Sequence, residues 1–339
     1  MKNNSQIKLT YFIIAILAWI IYYISWFQSS LNFLLSLSIY TLFFYLIHYI
    51  WVRMNKTIVI PFPQFMNYFL WKASLFILFI ILLILWLSYL SNSIFPATMP
   101  EYTITNWVKT VKFQAMSHIA TQKFYNNVKS NLIKYKKEWW VYFYEWVKPG
   151  TKENTEKFNN AIWVKFDKNL YANFSKLYWV TNQDNREFLW LVNNLDFNVD
   201  INIDEIVKLY EQKILTKKST EYKNKVPLDV NKVIIETLSN LNEKEVKILV
   251  YINQAILNFI ISNDTTKNFL TDKFSNKDLF DVILWERNKV IVNAIDKSKY
   301  KKIYMTYWLL HFKWVLKLLQ EKDSKWKIIS TSNLYPIKK

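Results

Sequence analysis

Three long apolar segments dominate the first hundred residues, which contain no acidic residue. They run over Tyr11–Phe27, Leu31–Val52 and Tyr68–Phe95. Each is about 17 residues or longer, which is enough for an α-helix to cross a hydrocarbon core of about 30 Å. The first lacks a small-residue cleavage site and a second follows almost at once, so we interpret it as a retained helix rather than a signal peptide. The pattern predicts a membrane domain at 1–97 with three transmembrane helices, the first two forming a hairpin.

Basic residues flank these segments unequally. The N-terminal tail carries two lysines, Arg53 and Lys56 follow the second segment, and the first basic residue after the third segment is Lys109. Loops rich in Lys and Arg tend to remain in the cytoplasm. We therefore expect a multi-pass protein of the cytoplasmic membrane, with the lipid bilayer as a partner. Its N-terminus would lie inside and residues 98–339 outside.

Residues 98–339 alternate between strand patterns and amphipathic helical patterns, which predicts an α/β sandwich with a helical insertion. Two parts of it share one β–loop–α–β arrangement. The first contains strand Thr110–Gln114, His118, helix Gln122–Lys137, strand Val141–Tyr144 and Glu145. The second contains strand Lys301–Tyr307, His311, helix Phe312–Glu321 and strand Lys327–Thr331. Each part has a histidine just past a strand, where open α/β sheets bind ligands. This pair is the strongest chemical signal in the sequence.

The region between the two units is predicted to be mostly helical. Its predicted helices are Phe158–Leu177, Asp204–Lys213, Val230–Leu238, Glu243–Ser262 and Lys277–Ile295, with an extended stretch at Val199–Ile203. Asp196 and Asp200 lie in an Asn/Asp-rich stretch that offers oxygen ligands for Ca²⁺. Since this stretch lacks EF-hand spacing, we interpret it as a solvated loop.

The amino-acid composition excludes several kinds of site and limits the explanations of the net charge. Cysteine is absent, which excludes disulfides, Cys-ligated zinc, iron–sulfur clusters and cysteine nucleophiles. The net charge is +18, but almost all basic residues are lysine, as an AT-rich gene would produce. A membrane-surface or nucleic-acid role is the alternative explanation of this charge. No Lys/Arg tract is interleaved with aromatic residues, so we do not expect a nucleic-acid partner.

The chain has 16 tryptophans but only one glycine, Gly150. Ordinary usage of about 7% would give roughly 24 glycines in a chain of this length. Trp139, Trp308 and Trp326 stand where glycine is usual, at helix ends and turns. One hypothesis is that many or all of the tryptophans are UGA codons that the source reads as glycine, as some bacterial lineages do. The alternative is a genuinely Trp-rich protein, in which the membrane-segment indoles form an interfacial belt.

With glycine allowed at such positions, the chain resembles the TraB/GumN/TIKI superfamily. In Gln114–Ile119 and Val141–Trp146, a strand carries a GxxH-like motif and the next strand ends in glutamate. In Trp285–Asn288 and Tyr307–Trp314, an E-R-[ND] helix precedes a second GxxH-like motif. The resemblance covers about residues 105–331 and none of the membrane segments.

The chain departs from the motifs at two positions. Ala115 stands where the first motif usually has glycine, and Trp308 where the second does. The middle of the region, 150–275, matches only as helix-rich sequence. As written, the bulky Trp308 side chain would crowd the site.

The resemblance implies a metal-dependent hydrolase, most often discussed as a protease, although some members are described as inhibitors of peptide pheromone signalling. Carried over residue by residue, the site would comprise His118, Glu145, Glu286, Arg287 and His311, with Asn288 beside it. Two histidines and a carboxylate, His118, His311 and Glu145, can hold Zn²⁺, Mn²⁺ or Co²⁺ and leave a position open for water. The metal would lower the pKa of that water and polarise a carbonyl.

The other residues have roles in the same chemistry. Glu145 or Glu286 would act as general base, and Arg287 would clamp a carboxylate or stabilise an oxyanion. The expected substrate is a peptide or protein at the outer side of the membrane. If the enzyme interpretation holds, His118, Glu145 and His311 should converge in one cleft with Arg287 at its rim.

Less specific interpretations stay open. A histidine at a strand end is often only a hydrogen-bonded polar residue. Glu286 and Arg287 can form a local ion pair on a helix. The competing functional class is a non-catalytic domain that binds or inhibits peptides at the membrane surface. A structural cell-envelope protein without a site is a third possibility.

Overall fold

A computed structural model describes residues 2–162, 169–217, 229–267 and 276–337. The chain is mixed α/β with apolar helices at its N-terminus, which confirms the predicted fold class in outline. It divides into two compact units. The first comprises Met1–Tyr89 and Ser239–Ile252, and the second Leu90–Leu238 and Asn253–Lys339.

The first unit is built around two apolar helices, α1 (Lys2–Met54) and α2 (Phe62–Tyr89). Although α1 is continuous by its backbone pattern, Ser30 Oγ donates a hydrogen bond to the carbonyl of Ala18 at 2.9 Å. Residues twelve apart in a straight helix are separated by about 18 Å. The chain must therefore reverse direction between Ala18 and Ser30, as the predicted hairpin requires.

Four helices of the described residues are long and apolar enough to cross a membrane: Ser5–Ser25, Gln28–Met54, Phe62–Ile94 and Glu243–Ser262. The three predicted apolar segments overlap the first three and extend beyond them by at most two residues, whereas the fourth was predicted only as an amphipathic helix. Large apolar side chains are exposed on these helices, including Phe76, which is 64% exposed. Such surfaces are unfavourable in water, so the N-terminal helices are typical of a membrane environment.

The second unit is organised around a six-stranded sheet. Its strands are β1 (Met99–Thr105), β2 (Thr110–Met116), β4 (Val141–Tyr144), β6 (Phe197–Asn198), β7 (Lys302–Trp308) and β8 (Lys327–Leu334). Their order across the sheet is β6-β4-β7-β2-β1-β8. Two further strands, β3 (Ile119–Ala120) and β5 (Thr181–Asn182), pair separately.

The helices after α2 that lie entirely within the described residues vary from 5 to 20 residues. They are α3 (Gln122–Lys137), α4 (Lys152–Ile162), α5 (Leu170–Leu177), α6 (Asn185–Leu189), α7 (Ile203–Lys217), α8 (Val230–Ser239), α9 (Glu243–Ser262), α10 (Lys277–Asp281), α11 (Arg287–Lys297) and α12 (Phe312–Lys322). A π-helical turn, Val282–Glu286, joins α10 to α11, and a 3₁₀ turn, Leu309–His311, joins β7 to α12.

Both predicted β–loop–α–β units are present. In each, the strand before the histidine and the helix after it lie where the sequence predicts them, and β8 extends to Leu334. The predicted helix Phe158–Leu177 corresponds to parts of α4 and α5, and its residues 163–168 lie outside the described residues. An extended stretch was predicted at Val199–Ile203. The strand in this part of the chain, β6, ends just before it, at Asn198.

Four neighbouring strands, β6, β4, β7 and β2, run parallel to one another. Their register aligns Met116 with Trp308 and Tyr144 with Thr306. Parallel strands of this kind are buried on both faces, and here Phe113 is fully buried. The carboxyl ends of all four strands therefore meet at one edge of the sheet.

Candidate functional site

The predicted site residues follow the parallel strands at this common edge. His118 lies two residues after β2, Glu145 directly after β4, and His311 three residues after β7. Asp200 lies two residues after β6. Because the strand ends meet, residues that are up to 193 positions apart in the chain gather at one place.

Arg287 is the electrostatic centre of the cluster. Its Nε donates to Asp200 Oδ1 at 2.8 Å and its Nη2 to Asp200 Oδ2 at 2.9 Å, while Nη2 also pairs with Glu145 Oε1. The Arg287 side chain is only 5% exposed and that of Asp200 only 1%. A buried charge requires such pairing, and the guanidinium fork suits bidentate binding of a carboxylate. Arg287 therefore lies inside the cluster rather than at its rim.

The two carboxylates that share Arg287 differ in pKa. Burial would raise the pKa of Glu145, but Arg287 and the nearby histidines lower it to about 2. Burial raises the pKa of Asp200 to about 6, although Arg287 opposes this shift. Glu145 is therefore ionised at neutral pH, and Asp200 is the carboxyl that takes up a proton more readily.

Glu145 also connects two strands of the sheet. Its Oε2 accepts a hydrogen bond from the backbone N–H of Trp308 at 2.8 Å, which ties the end of β4 to the end of β7. Its Oε1 lies 3.9 Å from Nε2 of His311. This carboxylate is therefore held by a guanidinium and a backbone amide while facing an imidazole.

His311 is fully buried and held in one orientation. Its Nδ1 lies 2.7 Å from Oδ1 of Asn288, which accepts a hydrogen bond when Nδ1 carries the proton. Burial, followed by the charge of Arg287, lowers the pKa of His311 to about 3. The imidazole is thus neutral, and within the described chain its Nε2 has no hydrogen-bond partner. A buried, unpartnered acceptor facing a carboxylate is a feature that needs a functional explanation.

His118 differs from His311 in its surroundings. It is half-buried, and its ring packs against Tyr171 at 4.6 Å and against Trp308 at 6.0 Å between centroids. Burial lowers its pKa, with Glu145 and Arg287 acting in opposite directions. The Trp308 indole also lies 6.4 Å from the His311 ring, so it is adjacent to both imidazoles.

Glu286 is the predicted site residue that has a different partner. Its carboxylate accepts from Lys289 Nζ at 2.9 Å and is 30% exposed. Consecutive residues on an α-helix differ in direction by about 100°. Arg287 and Asn288 reach the cluster, whereas Glu286 faces its ion-pair partner. The π-helical turn just before Arg287 is a type of distortion frequent at functional sites.

Asp200 is the site residue that the sequence did not indicate. The interpretation of Asp196 and Asp200 as parts of a solvated loop is wrong, because both side chains are nearly fully buried. Asp196 pairs with Lys136 and accepts the Tyr142 N–H at 2.9 Å. The available signal was Arg287, one of only three arginines in a lysine-rich chain, since a guanidinium fork accommodates two carboxylates.

The arrangement brings together His118, Glu145, Arg287, Asn288 and His311. Among the described residues, no group of three or more His, Asp or Glu side chains is close enough to hold a metal ion. The pair formed by His311 and Glu145 is nevertheless a neutral nitrogen donor opposite an ionised carboxylate. This pair can bind a water molecule between two acceptor atoms, and it can contribute two ligands to a cation.

Comparison with known proteins identifies no relative. No family model, curated protein or solved structure matches the chain.

Proposed function

We propose that the second unit is a peptidase or related hydrolase that adds water to a peptide carbonyl at the strand-end cluster. The observation that carries this proposal is the unpartnered Nε2 of neutral His311, 3.9 Å from the ionised carboxylate of Glu145. Two acceptors so placed suit activation of a water molecule. The resemblance to the TraB/GumN/TIKI superfamily supports the same reaction class.

Each side chain has a role in this reaction. Asn288 fixes the His311 ring, so that its Nε2 lone pair faces the site. Glu145 would take the proton of the attacking water and pass it to the leaving amine as the C–N bond breaks, which regenerates the carboxylate. Arg287 is a positioning residue, because two carboxylates occupy its donors and hold Glu145 in place. His118, the more accessible imidazole, faces the leaving group.

A divalent cation, Zn²⁺, Mn²⁺ or Co²⁺, is part of the proposal. When bound, it would supply a water of lowered pKa and a polarised carbonyl. His311 and Glu145 would supply two of its ligands, and His118 would have to move closer to supply the third. Two neutral imidazoles with one carboxylate fit the donor preferences of these ions. The buried, orphaned Nε2 of His311 is the atom that such an ion would satisfy.

The membrane helices give the proposed enzyme its location. Three N-terminal spans would anchor it in the cytoplasmic membrane with the N-terminus inside. The α/β sandwich would lie outside, where its substrates would be peptides or proteins near the lipid surface. The distribution of lysine and arginine around the apolar segments supports this orientation.

The test uses the full chain in detergent micelles. Metal content after loading and removal of free ions is compared between wild type and a variant carrying both His118→Ala and His311→Ala. We expect the wild type to retain a divalent ion and the variant to lose it. Arg186→Lys, at an arginine whose side chain is 83% exposed, is the control and should retain the ion. Equal metal content in wild type and the histidine variant would overturn the metal site.

A second candidate is a non-catalytic peptide-binding or inhibitory domain. The absence of a three-ligand metal group among the described residues favours it. The two candidates are separated by incubating the metal-loaded chain with a fluorescent peptide mixture and measuring both binding and products. Binding without products would favour the non-catalytic domain.

A further inference from the structure

Left-handed backbone conformations occur at four non-glycine residues of the described chain. These are Lys56 with φ 51°, Trp107 with φ 72°, Trp139 with φ 65° and Trp179 with φ 45°. The only glycine, Gly150, is not among them. A positive φ is sterically unfavourable for bulky side chains, and glycine is the usual occupant. Three of these four positions hold tryptophan, which is contrary to the usual preference for glycine at a positive φ.

Trp139 occupies a helix-terminating position. The N–H of Trp140 donates to Tyr135 O at 3.0 Å, and that of Trp139 donates to Lys136 O at 3.2 Å. These are the two hydrogen bonds of a Schellman motif, in which the left-handed residue after the helix is usually glycine. The Trp139 side chain is 88% exposed, so its packing cannot offset the strain.

Trp179 occupies the same position after α5. The N–H of Val180 donates to Ser175 O at 3.1 Å, and that of Trp179 donates to Lys176 O at 3.3 Å. A second helix thus ends in a Schellman motif with tryptophan in the left-handed position. The hydrogen bonds repeat those at Trp139, although the sequences of the two helices are unrelated.

Trp107 lies at the tip of the β1–β2 hairpin. The N–H of Asn106 donates to Lys109 O at 3.3 Å, which leaves Trp107 and Val108 as the two central residues. Two-residue hairpin loops favour turns with a positive φ at the first central residue, and glycine is preferred there. Trp107 is 70% exposed, and its indole lies under the Lys327 ammonium, 4.6 Å from it, rather than in the hydrophobic core.

Trp308 bears on the candidate site through its side chain. Its φ of −52° suits any residue. The indole, however, lies 6.0 Å from the His118 ring, 6.4 Å from the His311 ring and 6.2 Å from the Phe280 ring. The Glu145 contact uses the backbone N–H of residue 308, which glycine also has. Replacing the indole by hydrogen would open a space beside both imidazoles and leave the contact to Glu145 intact.

We propose that positions 107, 139, 179 and 308 are decoded as glycine in the cell, and that the space of the Trp308 indole is a pocket for an aromatic side chain of the peptide substrate. The walls of this pocket are the rings of Phe280, His118 and His311, which suit a flat apolar group. The assignment of the pocket rests on the proposed function, whereas the assignment of glycine does not.

The decoding is tested on the gene and on the protein from its source cells. The four codons should be UGA. The tryptic peptide Ile303–Lys313 should have the mass for glycine at 308, and the peptide that begins at Glu138 should have it at 139. UGG codons at these positions, or indole masses in these peptides, would overturn the decoding.

A matched pair of variants tests the backbone argument. Trp139 and Trp190 are 88% and 86% exposed, but φ is 65° at Trp139 and −63° at Trp190. Trp139→Gly should raise the midpoint of thermal unfolding by about 2–4 °C, because it relieves the left-handed strain. Trp190→Gly should lower the midpoint. At this ordinary φ, glycine relieves no strain and only increases the conformational entropy of the unfolded chain. Equal shifts in both variants would overturn the argument.

The pocket is tested by peptide cleavage with Trp308→Gly and Trp308→Phe variants. The glycine variant should cleave a peptide with Phe next to the scissile bond about tenfold faster than one with Ala, and the Phe variant should lose this preference. Cleavage by the glycine variant without an aromatic preference would overturn the pocket. No cleavage by any variant, with glycine found in the native protein, would overturn the pocket and the proposed function but leave the decoding intact.

Discussion

The two β–loop–α–β units hold their histidines in different ways. His311 is fully buried, its Nδ1 is held by Asn288, and its Nε2 faces Glu145. His118 is half-buried and rests on the rings of Tyr171 and Trp308. Helix α11 accounts for the difference, because it supplies Asn288 to the second unit only. One repeated pattern has thus produced a rigidly oriented imidazole and a more accessible one.

The largest expected effect concerns the arginine next to Asn288 on α11. Arg287→Ala should destabilise the second unit by about 3–5 kcal/mol, because it leaves the carboxylates of Glu145 and Asp200 buried without their partner. Arg186→Ala, which removes an exposed pair with Asp184, should cost far less, because water screens that pair. Urea unfolding of both variants measures the difference, and similar losses would contradict a buried ion-pair centre.

A smaller effect separates the two histidines directly. His311→Ala should cost about 1–3 kcal/mol of unfolding free energy, because Asn288 loses its partner in the protein interior. His118→Ala should cost less, because the His118 side chain is half-buried. Denaturant unfolding of the two single variants checks this order. A larger loss of unfolding free energy in His118→Ala than in His311→Ala would contradict the roles given to the two histidines.

The convergence of the histidines and Glu145 was predictable because it depends on local patterns. Short strand patterns precede both histidines and Glu145, and parallel strands bring their carboxyl ends together. The burial of Asp200 was not predictable, because its partner Arg287 is 87 residues away in the sequence. Strand β1 was also missed, since Pro100 and Glu101 interrupt the apolar pattern of a strand that is almost entirely buried.

A still smaller effect is the pH dependence of the metal-free protein. The pKa of His311 falls from an ordinary 6.5 to about 3, so the folded state binds fewer protons than the unfolded state in this range. Stability should therefore decrease as the pH falls from 6.5 towards 3. The raised pKa of Asp200, about 6, acts in the opposite direction between 3.8 and 6 and reduces the slope.

His311→Asn isolates the contribution of the histidine to this slope. Unfolding free energies of wild type and variant, measured without divalent ions between pH 7 and 4, should converge towards acid pH because only the wild type has the buried imidazole. His118→Asn should reduce the slope less. Parallel pH profiles for wild type and His311→Asn would contradict a buried neutral imidazole at this position.

The central claim is that the strand-end cluster hydrolyses peptides. The most direct measurement is the rate of peptide cleavage by the purified full chain with glycine at position 308, which is the wild type of this comparison. Glu145→Gln, His118→Ala and His311→Ala are compared with wild type and with Arg186→Lys, each at saturating divalent metal. The account predicts that the three site variants lose about a hundredfold or more in rate while Arg186→Lys retains the wild-type rate. Unchanged rates in the three site variants, or no cleavage by the wild type, would contradict it.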